Sequence, residues 1–225
     1  MDVLFLHGAL GTEDQVKPFL PFLKNIGKVH HFNFKGHGGR PLEGELLIED
    51  MIDQTLQYCQ EHNLNEISIF GYSLGGYVGT CLALKRPSLV QRLFTYGTRY
   101  QWNVDVADKE TQLLIPEKIK VKVPKFARYL EKLHGNEWPM LVEKTARLLS
   151  FLGHNDQLSL EAFNELSCPF TVAVGDRDSI VSLEKNYEIS KAAKNGSFIV
   201  LPKTEHPIEK VDHKTLGTFL AQFQQ

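Results

Sequence analysis

Residues 67–76 read ISIFGYSLGG. Ile67-Ser68-Ile69-Phe70 is an apolar, β-rich run bounded by glycine, which predicts a buried strand. Leu74 opens a segment of helical character that runs to Lys85 and is stopped by Arg86-Pro87. Gly71-Tyr72-Ser73-Leu74-Gly75 between them fits G-x-S-x-G. The pattern has a steric origin. A serine raised on a very sharp strand-to-helix turn needs small neighbours, and glycine tolerates the backbone angles such a turn requires. The turn lifts the hydroxyl clear of the sheet and aims the N–H of Leu74 at charge forming on a bound molecule. A glycine-rich helix entry satisfies the same pattern, so the reading rests on the strand before it and the helix after it.

Outward from this turn, five further apolar runs predict strands at 3–6, 29–34, 92–96, 170–174 and 197–201. Most are continuous rather than alternating, as a parallel sheet covered on both faces demands. Helices are predicted over 43–61, 74–85, 182–193 and 208–223, so the fold class is α/β with a doubly wound sheet. One interval breaks the alternation. Residues 101–166 contain no strand pattern and read as a helical lid inserted before the fifth strand of a single 1–225 domain. Pro124 suits a first helical position, Gly135 a stop, Asn136 the cap of the next helix, Gly153 its stop and Ser159 the cap of a third helix. Trp102, Phe126, Tyr129, Trp138, Leu148, Leu149 and Phe151 supply its apolar side chains. Most of them should bury the insertion, and a quarter to a third should line a pocket.

Three other segments supply chemistry at strand ends. Leu6-His7-Gly8-Ala9 follows the first strand. Acyl transfer needs two N–H donors for its oxyanion, and Ala9 joins Leu74 as a candidate, with His7 holding the loop. Val174-Gly175-Asp176-Arg177-Asp178-Ser179-Ile180-Val181 follows the fifth strand, and Thr204-Glu205-His206-Pro207 follows the sixth. A serine hydroxyl needs a base to take its proton, histidine is that base near neutral pH, and a carboxylate fixes the histidine tautomer. Ser73, Asp178 and His206 are the candidates, with Asp176 as the alternative acid or a turn-shaping residue.

The remaining histidines carry less. His30 and His31 face opposite sides of a strand, and with His37 they show no metal-ligand pattern. His62, His134 and His213 read as solvated helix residues, and His154, beyond a helix stop, reads as a surface residue, with an approach to a pocket as the alternative. Arg99, at the root of the insertion, is expected to meet a carboxylate, either of that insertion, the favoured reading, or of a substrate. Glu205 is expected to face solvent.

Bulk composition narrows the function. The chain has 225 residues, 42% hydrophobic and 23% charged, with a formal net charge of −2. No basic block offers a field for nucleic acid or an anionic membrane. Cys59, Cys81 and Cys168 are scattered, which fits a reducing compartment rather than a disulfide framework or a zinc site. MDVLFLHGAL lacks a basic n-region and reads as a strand, and no apolar run reaches membrane-span length. The expectations are a cytoplasmic location, a small-molecule substrate, no nucleic acid, no metal and no cofactor.

Together, His7-Gly8, Gly36-His37-Gly38, Gly71-Tyr72-Ser73-Leu74-Gly75-Gly76, the 175–181 segment and His206 resemble the α/β-hydrolase superfamily over essentially the whole chain. Gly97-Thr98-Arg99, Pro116-Glu117-Lys118-Ile119 and His206-Pro207-Ile208-Glu209-Lys210-Val211 resemble a group of small bacterial members with a helical lid and no established substrate. The resemblance implies a minimal, mostly parallel six-stranded sheet with helices on both faces. It also implies a triad whose acid, by the G-x-x-D-x-x-V pattern, is Asp178. Asn33-Phe34-Lys35-Gly36 departs from the usual Asp-x-Pro-Gly. The implied activity is cleavage of a small ester or thioester by a serine hydrolase. A C–C hydrolase or a lyase of the menaquinone-pathway type is the alternative, although Tyr77 stands where those lyases carry arginine. A slow-turnover ligand receptor is a third class.

Overall fold

The computed structural model describes residues 1–24, 26–155 and 158–223. Six strands form one sheet: β1 (Asp2–Leu6), β2 (Val29–His31), β3 (Ile67–Tyr72), β4 (Val90–Tyr96), β5 (Phe170–Gly175) and β6 (Gly196–Leu201). Their order is β2-β1-β3-β4-β5-β6, and every neighbouring pair is parallel. The sheet is therefore wholly rather than mostly parallel. Around it lie α1 (Leu20–Leu23), α2 (Ile48–Glu61), α3 (Leu74–Lys85), α4 (Val104–Thr111), α5 (Pro116–Lys122), α6 (Pro124–His134), α7 (Trp138–His154), α8 (Leu183–Ala192) and α9 (His213–Phe223).

Side chains alternate across each strand, which sorts the core into two layers. Leu4, Leu6, Ile69, Leu93 and Val172 pack with Met51 and Ile52 of α2 and with Val78 and Leu82 of α3. Val3, Phe5, Phe70, Phe94 and Ala173 face the other way, onto Phe19, Leu23 and, in α9, Leu216 and Leu220. Both faces are covered, so the strands read as unbroken apolar runs. From β1 the chain crosses to β2 on one side, whereas β3 and the later strands build out on the other. The crevice opens where this direction reverses, above the carboxyl ends of β1 and β3.

Several boundaries differ from the sequence expectation. β2 ends at His31 instead of running to residue 34. The helix expected from residue 43 begins at Ile48; Gly44 takes φ 64°, and its carbonyl accepts from Lys144 Nζ. The last helix is interrupted: a 3-10 turn, Ile208–Lys210, precedes α9. Between β4 and β5 the described residues hold only helices and turns, while Asp156 and Gln157 of the 101–166 interval lie outside them. Pro124 and Gly135 begin and end α6 as expected. Asn136 caps nothing and lies in a 3-10 turn, and Ser159 precedes a 3-10 turn rather than an α-helix. Gly153 does not end α7, which continues to His154. A Cβ at Gly153 would lie 2.4 Å from Ala107 Cβ, so this glycine lets α4 and α7 touch.

Candidate active site

Ser73 sits at the end of β3 with φ 50° and ψ −116°, a conformation that costs an L-residue on the order of 1–3 kcal/mol. The surroundings hold it there. Its N–H donates to Tyr96 O at 2.9 Å, and its carbonyl accepts from Gly76 N at 3.0 Å and Thr98 Oγ1 at 3.1 Å. The flanking glycines are forced by contact. A Cβ on Gly71 would lie 2.5 Å from Gly76 Cα, one on Gly75 2.0 Å from Leu6 O, and one on Gly76 2.0 Å from Thr98 Oγ1.

The loops after β5 and β6 bring an acid and a base together. His206 Nδ1 lies 2.8 Å from Asp178 Oδ2. The Asp178 side chain is fully buried and that of His206 is 12% exposed, so the pair meets open space through the imidazole. The other Asp178 oxygen accepts from the backbone N–H groups of Ile180 (2.8 Å) and Val181 (2.9 Å), which fixes the carboxylate plane. Asp176 serves the neighbouring loop: its Oδ1 accepts from Thr204 N at 3.0 Å, and hydrogen bonds from the Lys203 and Thr204 backbone hold its carboxyl below the usual range. Two buried phenols brace the same loop from beneath. Tyr72 Oη donates to His206 O (3.3 Å), and Tyr96 Oη to Glu205 O (2.8 Å). Burial raises both phenol pKa values, so they remain protonated donors. Glu205 itself is exposed and pairs with Lys210 at 2.6 Å.

The loop after β1 forms a turn closed by Gly11 N donating to Gly8 O at 3.1 Å. Leu10 occupies its third position with φ 56°, a left-handed conformation usually left to glycine. Gly8 N donates to Gln15 Oε1, and Gln15 Nε2 donates to Glu209 Oε1. A Cβ at Gly8 would lie 2.7 Å from the Tyr72 ring and 3.3 Å from Ser73 Cβ, which is how closely this turn approaches the serine. Ala9, Ser73, Leu74 and His206 all line one cavity of about 330 Å³.

Most of the cavity wall is apolar. Leu10 comes from the loop after β1 and Leu74 from the start of α3, Leu114, Phe126 and Leu149 come from the helical segment, and Ile180 and Val181 from the Asp178 loop. Of the seven apolar side chains singled out in 101–166, four line it: Trp102, Phe126, Tyr129 and Leu149. Trp138 and Leu148 are buried elsewhere and Phe151 is exposed. Thr145, Leu149 and Leu152 face the cavity at helical i, i+4, i+7 spacing. That spacing was readable in the sequence, but what it would face was not. Arg99 also reaches the cavity. Its Nη2 bonds Glu110 Oε1 of α4 at 2.9 Å and also donates to Ile180 O, tying the helical segment to the Asp178 loop.

The sequence reading missed a buried histidine group beside this turn. His7, His37 and His134 are all buried, with ring centroids 4.8 Å apart for His7–His37 and 5.7 Å for His37–His134. Burial pushes the His7 pKa down to about 4 and those of His37 and His134 below the usual value. His134 is thus not a solvated helix residue, and His213 is half-buried with its ring edge against Phe19. His30 bonds Asp2, His31 bonds Glu13, and His154 is exposed away from the cavity. Among the described residues no group of three His, Cys, Asp or Glu side chains could hold a metal ion. The three cysteines are free and buried; burial raises Cys59 to about 11 and Cys81 to about 12, so they stay thiols at neutral pH.

The model of the alpha/beta hydrolase fold family matches residues 3–209. The chain belongs to the α/β-hydrolase family. Within that family it is similar to the (E)-2-((N-methylformamido)methylene)succinate hydrolase of Acinetobacter baylyi, 21% identical over 88% of this chain and 81% of that one. Its match to ethanol acetyltransferase 1 of Cyberlindnera fabianii, 28% identical, covers 40% of this chain and 27% of that one. Among solved structures, an α/β-hydrolase fold is shared with an esterase from Thermogutta terrifontis, with TM-score 0.77, 22% identity, and 100% and 91% of the two chains covered. MenH from S. aureus gives TM-score 0.80 at 14% identity, with 99% and 92% covered. Among the described residues no helix is long and apolar enough to cross a membrane.

Proposed function

We propose that this α/β hydrolase is a serine hydrolase that cleaves a small ester or thioester through an acyl-enzyme. The observation that carries the reading is the Asp178–His206 contact of 2.8 Å, with His206 and Ser73 on one cavity wall. Ser73 Oγ attacks the substrate carbonyl while His206 Nε2 takes its proton. Asp178 holds the proton on Nδ1 and steadies the imidazolium. The N–H groups of Ala9 and Leu74 receive the oxyanion. Collapse expels the alcohol or thiol, which takes the proton back from His206. A water activated by the same ring then releases the acid. Residues 101–166 act as a lid whose apolar side chains hold the acyl or alcohol portion.

The test is labelling with a fluorophosphonate, read by peptide mass spectrometry, alongside hydrolysis of p-nitrophenyl acetate and butyrate. Labelling at Ser73, with turnover lost in Ser73→Ala, is the expected result. Folded wild-type protein that takes up no label would overturn the reading. Labelling without hydrolysis of any ester or thioester would shift the assignment to C–C cleavage or lyase chemistry on the same residues. For an apolar cavity of about 330 Å³, activity on p-nitrophenyl esters should rise from acetate to medium-length chains and then fall, because each buried methylene adds about 0.8 kcal/mol of binding until the wall is reached.

A further inference from the structure

His134 belongs to α6, far from the triad in sequence, yet both of its ring nitrogens are committed, one to the 8–11 turn that lines the cavity and one to the loop after β2. Nε2 lies 3.0 Å from Leu10 O, and Nδ1 accepts from Gly38 N at 3.0 Å. A carbonyl can only accept and a backbone amide can only donate, so the two bonds together require the neutral ring protonated on Nε2. The residue that receives the Nε2 proton is Leu10, whose φ of 56° puts it in the left-handed region at the third position of the 8–11 turn. No other bond to that carbonyl is made by the turn itself, whose closing bond uses Gly11 N and Gly8 O. His7 adds a second clamp on the same turn, with Nδ1 2.8 Å from Gly8 O and Nε2 accepting from Phe34 N.

We propose that His134 is a positioning residue for the oxyanion turn: by bonding Leu10 O it fixes the orientation of the Ala9 amide, so that docking of α6 sets transition-state stabilisation as well as substrate fit. The inference rests on the serine-hydrolase reading. Leu10 O and Gly11 N belong to one peptide unit, and Gly11 N donates to Gly8 O, whose own peptide unit carries the Ala9 N–H. A rotation of the Leu10–Gly11 peptide would therefore pull on the Ala9 amide, and an oxyanion donor works only within a narrow distance from the developing charge. The signature is therefore a loss in kcat with KM little changed, because the ground-state carbonyl gains less from that donor than the tetrahedral oxyanion does.

The experiment compares wild type, His134→Asn, His134→Gln and Leu220→Ala, the last a buried α9 residue that destabilises the fold away from the site. It measures kcat and KM on p-nitrophenyl butyrate, inhibition by a trifluoromethyl ketone and by butyrate, and the thermal midpoint. His134→Asn keeps an acceptor near Gly38 N but is too short to reach Leu10 O. It should lower kcat about tenfold or more, leave KM within about twofold, and weaken the ketone but not butyrate by a matching factor. His134→Gln retains a donor of longer reach and should recover most of the loss; it also carries the test if the Asn variant fails to fold. An equal kcat loss in Leu220→Ala at the same thermal shift, unchanged ketone affinity in His134→Asn, or a change confined to KM would overturn the proposal. Wild-type protein that takes no fluorophosphonate on Ser73 would remove the reaction reading, and this role with it. Labelled wild type with unaffected His134 variants would remove this role alone.

Discussion

Asp178 does two jobs with two oxygens, and Asp178→Asn separates them. The amide oxygen can still accept from Ile180 N and Val181 N, so the loop should keep its shape. The amide nitrogen would face His206 Nδ1 across 2.8 Å and force that atom to become an acceptor. The proton then sits on Nε2, where it blocks base catalysis. kcat should fall roughly a thousandfold or more while the thermal midpoint moves by only a few degrees. A loss under tenfold would remove Asp178 from the acid role. Gly97 probes the same ring from the other side. It has φ 59°, and a Cβ there would lie 3.3 Å from His206 Cε1. Gly97→Ala should therefore displace the imidazole and strain its own backbone, lowering kcat about tenfold and stability by about 1 kcal/mol or more. Wild-type kinetics in that variant would show that the ring tolerates the methyl.

At the level of elements, glycine identity decides how closely parts meet. α7 runs straight through Gly153 because neighbouring turns continue to bond, although glycine weakens a helix by roughly 1 kcal/mol relative to alanine. The compensation is contact with α4, where Ala107 and the carbonyl of Asn103 occupy the space a side chain would need. Gly153→Ala should improve local helix propensity yet destabilise the protein by about 1–3 kcal/mol through overpacking. Adding Ala107→Gly should restore part of that loss in urea unfolding. Simple additivity of the two substitutions would argue against the contact. Since α4 carries Glu110, the partner of Arg99, and α7 carries Leu149 and Leu152, the single variant should also raise KM for longer acyl chains.

Across the whole molecule, the buried histidines predict an acid-labile fold. An unfolded histidine takes up a proton near pH 6.5, whereas His7 in the fold does so only near about pH 4. Below pH 6.5 the unfolded chain therefore binds more protons, and acid favours it. The stability contributed by the neutral ring is complete above that pH and is lost as pH falls to the folded value. For His7 alone the difference is about 3 kcal/mol, and His37 and His134 shift in the same direction. Urea midpoints measured from about pH 7.5 to about pH 4.5 should drop steeply, with a shallower drop in His37→Phe. Superimposable pH profiles for the two proteins would show that His37 makes no contribution to this titration.

Legible from local sequence were the apolar strand runs, their alternation with helices, the glycine-bounded turn at Ser73 and the placement of Asp178 and His206 beyond strand ends. These features are local: apolar periodicity, proline and glycine geometry and short spacings act within a few residues of chain. Tertiary structure decided what local chemistry leaves open. It closed the Asp178–His206 distance from residues 28 apart in the chain, gave Asp176 to the Thr204 loop instead, and turned Arg99 onto Glu110. It also buried His134 against the 8–11 turn, a contact between residues 124 apart. An amphipathic helix shows which of its faces will be covered but not what will cover it, because burial is non-directional and the partner is chosen by the packing of the whole chain.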